Sequence, residues 1–242
     1  MQSELEKTRI MKNKVSVSFM MFGILFCVCL VASNLLETKL IQLGIIPGIG
    51  SISVTAGLLV FPISYIINDC IVEVWGYRKA RLIIWMGFAM NFLVVGLSQL
   101  AIQLPGAPFW EGEEAFNFVF GLAPRIVAAS LLAFLIGSFL NAYVMSRMKI
   151  ASQGKHFSYR AVLSTLAGES ADSILFFPIA FGGLMPVNEL LKMIIVQAIL
   201  KTLYEIIILP VTIRVVKYIK KVDGSDVYDE NVSYNVLKVN EI

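Results

Sequence analysis

Six long apolar stretches alternate with short polar connections along the chain. They cover residues 15–36, 54–74, 82–104, 125–145, 161–181 and 190–216. A helix crosses a hydrocarbon layer of about 30 Å with roughly 20 mostly apolar residues. Each stretch is long enough, so the pattern predicts an all-α integral membrane protein, a bundle of six transmembrane helices spanning residues 15–221. The first stretch is also too long for the roughly 7–15-residue core of a signal peptide, so it reads as a retained first helix. Residues 1–14 form a polar, charged tail. Residues 222–242, with Asp223, Asp226, Asp229 and Glu230, show no apolar period and are expected to be disordered. Among the connections, 44–53 (GIIPGIGSIS) reads as a turn or hairpin, 105–124 as room for a short interfacial helix, and 182–188 as a tight turn. No segment is left for a soluble domain.

Charge divides these connections into two sets. Lys7, Arg9, Lys12 and Lys14 precede the first span, and Arg78, Lys79 and Arg81 follow the second. Arg147, Lys149, Lys155 and Arg160 lie between the fourth and fifth, and Lys217, Lys220 and Lys221 close the sixth. The alternate connections are poor in cations; the one after the third span carries Glu111, Glu113 and Glu114. The positive-inside rule therefore predicts cytoplasmic N- and C-termini. Composition agrees: hydrophobic residues are 57% and charged residues 15%, with a mean hydropathy of +0.78, where a soluble domain carries about 25% charge. A net charge of +3 without a basic stripe argues against a nucleic-acid partner. Cys27, Cys29 and Cys70 lie in apolar stretches and read as small buried hydrophobes. His156 is the chain's single histidine. No metal site and no cofactor is implied.

Ionisable side chains inside a span are costly and tend to mark functional sites. The second span carries Asn68, Asp69 and Glu73, the last two sharing a face at i,i+4. The fifth carries Glu169 and Asp172 at i,i+3, and the sixth Gln197, Lys201 and Glu205 in i+4 steps. Arg125 opens the fourth span, with Ser138 and Asn141 deeper in it, and Asn34 lies near the end of the first, before Glu37. Asp69, Glu73, Glu169, Asp172 and Glu205 outnumber the single central Lys201. That excess predicts carboxylates that titrate or that await a ligand rich in N–H donors. A guanine-like edge presents such donors to a carboxylate, and its carbonyl calls for an amide or cationic donor. Tyr65, Phe176, Phe177 and Tyr204 are candidate stacking faces, although core or lipid packing explains aromatics equally well. The tripeptide Phe-Pro-Ile recurs at 61–63 and 177–179, near the ends of the second and fifth spans; helix-breaking prolines in paired positions occur in transporters. No zinc-binding histidine pair or G-x-S-x-G elbow supports an enzyme.

Three segments carry a resemblance: FPISYIINDCIVEVWGYRKARLIIW (61–85), RIVAASLLAFLIGSFLNAYVMSRMK (125–149) and FSYRAVLSTLAGESADSILFFPIAFGG (157–183). In this order they resemble the queuosine precursor transporter family of bacterial inner-membrane proteins. Matching positions include Asn34, Asp69, Glu73, Arg125, Ser130, Arg160, Ser164, Glu169, Asp172 and Lys201. The resemblance implies multi-pass placement in the inner membrane and import of 7-deazaguanine bases, in the cyano or aminomethyl form. It also implies a fold similar to the substrate-binding subunits of energy-coupling-factor transporters. The substrate-binding set is then Asn34, Asp69, Glu73, Asn141, Glu169, Asp172, Gln197 and Lys201. Glu169 and Asp172 would accept from the base, and Asn141 or Gln197 would donate to its carbonyl. Asp69 would be a second contact or a proton-coupling group, and Arg125 and Arg160 would gate or anchor. Relatives carry an acidic residue at the position of Asn141 and a glutamine at that of Ser138 or Glu169, which leaves the preferred base open. The alternative reading is a membrane subunit of an ATP-driven vitamin-type transporter for another heterocyclic solute; an energising partner and the oligomeric state stay open.

Overall fold

A computed structural model describes residues 16–46, 50–121, 124–183, 186–230 and 232–238. The basic tail 1–14 lies outside these residues. The chain order is α1 (Val17–Leu36), β1 (Leu40–Ile46), β2 (Gly50–Thr55), a 3-10 turn (Ala56–Leu59) and α2 (Phe61–Trp75). Then come α3 (Tyr77–Ile102), the short α4 (Glu113–Phe120), α5 (Pro124–Ala151), α6 (Phe157–Phe181) and α7 (Val187–Asp223). Among the described residues six helices are long and apolar enough to cross a membrane, and each overlaps an expected span. The chain is a multi-pass, all-α membrane protein.

The bundle exposes apolar side chains on its flanks and buries its polar side chains beside an apolar core that includes Phe26, Leu30, Ile71 and Phe134. Ile24, Leu93, Ile199 and Ile207 are exposed on its flanks, whereas Asn68, Asp69, Glu169 and Lys201 are buried. The closest helix approach joins α5 and α6 through glycines. A Cβ at Gly168 would come within 2.8 Å of Asn141 Cβ and 2.9 Å of Gly137 O. Small residues at such crossings let backbones meet in the absence of a hydrophobic drive.

The two basic connections between helices are short, a single residue between α2 and α3 and residues 152–156 between α5 and α6. Arg78, Lys79 and Arg81 belong to α3 itself, because Gly76 alone separates α2 from α3. Gly76 sits at φ +83°, ψ 171°, a region essentially reserved for glycine. At the opposite end, β1 and β2 pair antiparallel from Leu40↔Thr55 to Ile46↔Gly50 with a bulge between Gln42 and Gly44. This is the expected hairpin, and α4 is a short helix within the connection 105–124. The two Phe-Pro-Ile prolines do not break helices in mid-membrane. Pro62 lies in the first turn of α2, where its missing N–H costs nothing, and Pro178 lies in the last turn of α6.

The segment after Gly224 differs from the expectation of disorder. It forms a strap across the basic end of the bundle. Asp229 accepts from the Tyr77 backbone N–H at 2.9 Å and from Ser146 Oγ at 2.5 Å, so it caps the first turn of α3, which has no capping side chain of its own. Arg81 Nη1 donates to Asn235 O at 2.7 Å and to Ser233 O at 3.1 Å. Trp85 Nε1 donates to Val236 O at 2.8 Å, and Tyr234 packs edge-on against Tyr77 and Tyr143. A polar segment without apolar periodicity is held here by the orphan donors of other helices, which no local pattern reveals.

Two measurements check this end. Gly76→Ala places a Cβ within 2.8 Å of Asp229 Oδ1 in a backbone region closed to alanine. A loss of about 1–3 kcal/mol is expected from the backbone alone, read as a lower thermal midpoint in detergent. Burial raises the Asp226 carboxyl, but hydrogen bonds from Lys149 and Lys220 outweigh it and hold the group below the usual range. A depressed carboxyl stabilises fully above its unfolded value of about 4 and loses that contribution as pH falls through the folded value. Hydrogen exchange at the Val227 amide, bonded to Val74 O at 3.2 Å, is expected to speed up over that acidic interval.

Candidate functional site

Polar side chains line the inside of the bundle in three layers. The i+4 spacing that places them on one helix face also stacks them along the axis, about 6 Å per step. On α2 the series is Phe61, Tyr65, Asp69 and Glu73; on α6, Asp172, Gly168, Ser164 and Arg160; on α7, Gln197, Lys201 and Glu205. Each series descends from the hairpin end toward the basic end.

The layer nearest the hairpin is a pocket. Lys201 Nζ is 2.7 Å from Glu169 Oε2 and 3.2 Å from Asp172 Oδ2. It also lies 3.9 Å from the centre of the Phe61 ring, a cation–π contact in a desolvated setting. Glu37, at the end of α1, and Ser130 of α5 complete one wall; Phe176 and Phe177 of α6 form another, and Gln197 a third. Gln197 Nε2 reaches Thr55 Oγ1 at 3.5 Å, and Asn34 Oδ1 accepts from Ser130 Oγ at 2.8 Å beside the pocket. The free space is about 10 Å³, room for a single water.

The middle layer is built from amides, hydroxyls and carboxylates. Asn68 Nδ2 donates to Asn141 Oδ1 at 2.6 Å and to Ser138 O at 3.2 Å. Ser164 Oγ lies 3.0 Å from Asp69 Oδ2. Glu205 is 1% exposed, and its Oε2 has no hydrogen-bond partner among the described residues.

The third layer, at the basic end, is an ion-pair network. Arg160 Nη1 donates to Glu73 Oε2 at 2.6 Å, and Lys220 Nζ to Glu73 Oε1 at 2.6 Å. Lys149 Nζ donates to Glu73 O at 2.5 Å, Asp226 Oδ1 at 2.6 Å and Val227 O at 2.7 Å. Buried pairs of this kind hold together only when every charge is matched and hydrogen-bonded.

The sequence-predicted residues therefore separate. Glu169, Asp172, Gln197 and Lys201 meet in or against the pocket, with Asn34 beside it. Asp69 and Asn141 lie in the middle layer. Glu73 and Arg160 pair with each other in the third, and neither is among the residues that line the pocket. Arg125 lies in the first turn of α5, and its side chain is outside the described residues. Sequence reasoning did not place Glu37 or Phe61 at the site. Glu37 lies beyond the apolar run, and only the hairpin and the 3-10 turn fold it back over Gly57, whose Cβ would overlap its side chain.

Comparison with known proteins bears on this arrangement. Residues 55–215 match the family described as "Putative vitamin uptake transporter", and the chain belongs to that family of transporters. It is 26% identical over 181 residues to a "Probable queuosine precursor transporter" of Bacillus subtilis, covering 74% of this chain and 76% of that one. It is 30% identical over 127 residues to the "Queuosine precursor transporter" of Escherichia coli, covering 52% of this chain and 55% of the relative. No solved structure matches.

The pocket's charge balance gives a direct test. Lys201→Met strands Glu169 and Asp172 without their cation, for an expected loss of about 3–5 kcal/mol. Adding Glu169→Gln is expected to restore part of that loss, measured as non-additivity of thermal midpoints in a double-mutant cycle.

Proposed function

We propose that the chain imports 7-deazaguanine precursors of queuosine, the cyano or aminomethyl base, across the bacterial inner membrane, with both termini in the cytoplasm. The observation that carries this reading is the chemistry of the pocket. Glu37, Glu169 and Asp172 surround one cation, Lys201, at the edge of an aromatic wall. Lys201 provides what a bound base would bring: a set of N–H donors for the carboxylates and a partner for the Phe61 ring face. A guanine-type edge offers adjacent N–H donors to Glu169 and Asp172 in place of the ammonium, while the base plane takes the face of Phe61 or Phe177. Gln197 supplies an amide donor for the ring carbonyl. The names of the relatives from Bacillus subtilis and Escherichia coli point to the same substrate class.

Entry of a base requires the pocket to widen. The α1–hairpin connection carrying Glu37 and the outer turns of α2 and α6 carrying Phe61 and Phe177 are the elements that move. At the other end, the Glu73 network and the strap hold the bundle shut, so the closed form separates the pocket from the cytoplasm. Alternating access then requires that network to open after the pocket has closed.

The experiment is a rescue assay in bacteria that neither make nor import queuosine precursors. Expression of this chain with a low concentration of either base is expected to restore queuosine in tRNA. Asp172→Asn is expected to lower affinity about 10–100-fold, the equivalent of one charge-assisted hydrogen bond of about 1.5–3 kcal/mol. Absence of rescue by membrane-inserted protein with either base rejects the substrate assignment.

A further inference from the structure

The middle layer holds two buried carboxylates that form no ion pair with a cation among the described residues. Asp69 is 0% exposed and is approached by Ser164 Oγ at 3.0 and 3.1 Å. Glu205 lies across from it on α7, within electrostatic reach of Asp69, and its Oε2 is unpartnered among the described residues. The neighbouring cations are committed elsewhere, Arg160 to Glu73 and Lys201 to Glu169 and Asp172. The groups facing the pair are Cys70 and Glu73 from α2, Asn141 from α5, and Arg160, Ser164, Thr165 and Glu169 from α6.

Two further observations point to an exchangeable occupant. Asn141 reaches toward Asp69, yet its Nδ2 has no hydrogen-bond partner among the described residues. Thr165 Oγ1, beside Glu205, is buried and likewise without one. Asn141 beside Asp69 and Thr165 beside Glu205 are thus loosely held neighbours of the acidic pair, able to turn toward whichever oxygen carries the charge. Like-charged carboxylates in one low-dielectric site cannot both ionise freely, and such a pair binds a proton as a unit.

We propose that Asp69 and Glu205 hold one exchangeable proton between them and that this proton drives uptake. The inference rests on the transport reading above and adds the energy source to it. The proton enters with the base from the outer side, sits on one of the two carboxylates while the bundle is closed, and leaves to water on the cytoplasmic side. With the proton aboard, the closed bundle keeps a single negative charge among the donors Ser164, Asn141 and Thr165. Without it, the closed form buries two unmatched charges and is disfavoured. Closure around the substrate is thereby tied to proton occupancy. Glu205 is one turn from Lys201 on the same helix face, so the proton site adjoins the pocket without being part of it.

The test uses the full-length protein in lipid. Infrared spectroscopy at neutral pH is expected to show the carbonyl stretch of a protonated carboxyl that disappears in the Asp69→Asn, Glu205→Gln double variant. In proteoliposomes, an imposed inward proton gradient is expected to concentrate labelled 7-cyano-7-deazaguanine, and either single variant to lower that accumulation at least 10-fold. A band that persists in the double variant, or accumulation that still follows the gradient in both single variants, overturns the proposal. If the acidic variants do not fold, Thr165→Val carries the same test: loss of the hydroxyl beside Glu205 should move the band, and an unmoved band rejects the assignment. Wild-type protein that does not bind the base defeats the substrate reading instead, while the infrared result reads the proton site independently.

Discussion

The structure depends on one constraint: an ionised or hydrogen-bonding group in a hydrocarbon layer must find its partner within the protein. The constraint dictates the inside-out arrangement of the bundle. It also explains why polar positions on α2, α6 and α7 recur at steps of three or four residues, since those spacings keep successive groups on the buried face of a helix. The result is a polar column through the protein, divided by chemistry. Mixed charges with aromatics lie at one end, amides and acids in the middle, and fully paired ions at the other.

That division gives each layer a different capacity for change. In the network of Glu73, Asp226, Arg160, Lys149 and Lys220 every charged group is hydrogen-bonded to a partner, and its cost of opening is high. The pocket around Lys201 has more carboxylates than cations, so an incoming donor finds acceptors to share. The middle layer keeps acids and idle donors side by side. A transporter needs a firm seal, a site that accepts replacement of its own contacts, and a connection between them, and the column provides these in order along the axis.

Much of this was legible in the sequence. The six spans follow from hydropathy alone, because a lipid-facing helix must be apolar over its whole length. Glu169, Asp172 and Lys201 stood out because charge inside such a helix is rare. The division of labour among the acids was not legible. Glu73 and Asp69 share a helix face and differ only in what other helices bring to them, Arg160 in one case and Ser164 in the other. Glu37 was hidden because it lies outside the apolar run, and the strap because its anchors, Tyr77, Arg81, Trp85 and Lys149, are remote in sequence. Long-range pairing of single polar atoms leaves no periodic trace.

The strap has a consequence for biogenesis. Its residues follow all six membrane helices in the chain, yet they supply the cap for α3 and the acid that meets Lys149. Until they arrive, the membrane-inserted chain carries an uncapped helix start and a lysine lacking part of its final shell at the basic end. Completion of the bundle is thus delayed until the segment after the sixth helix has been made, and a chain cut at Gly224 lacks the contacts that finish it. Such a product keeps its six helices but leaves the Tyr77 amide and part of the Lys149 shell without their partners.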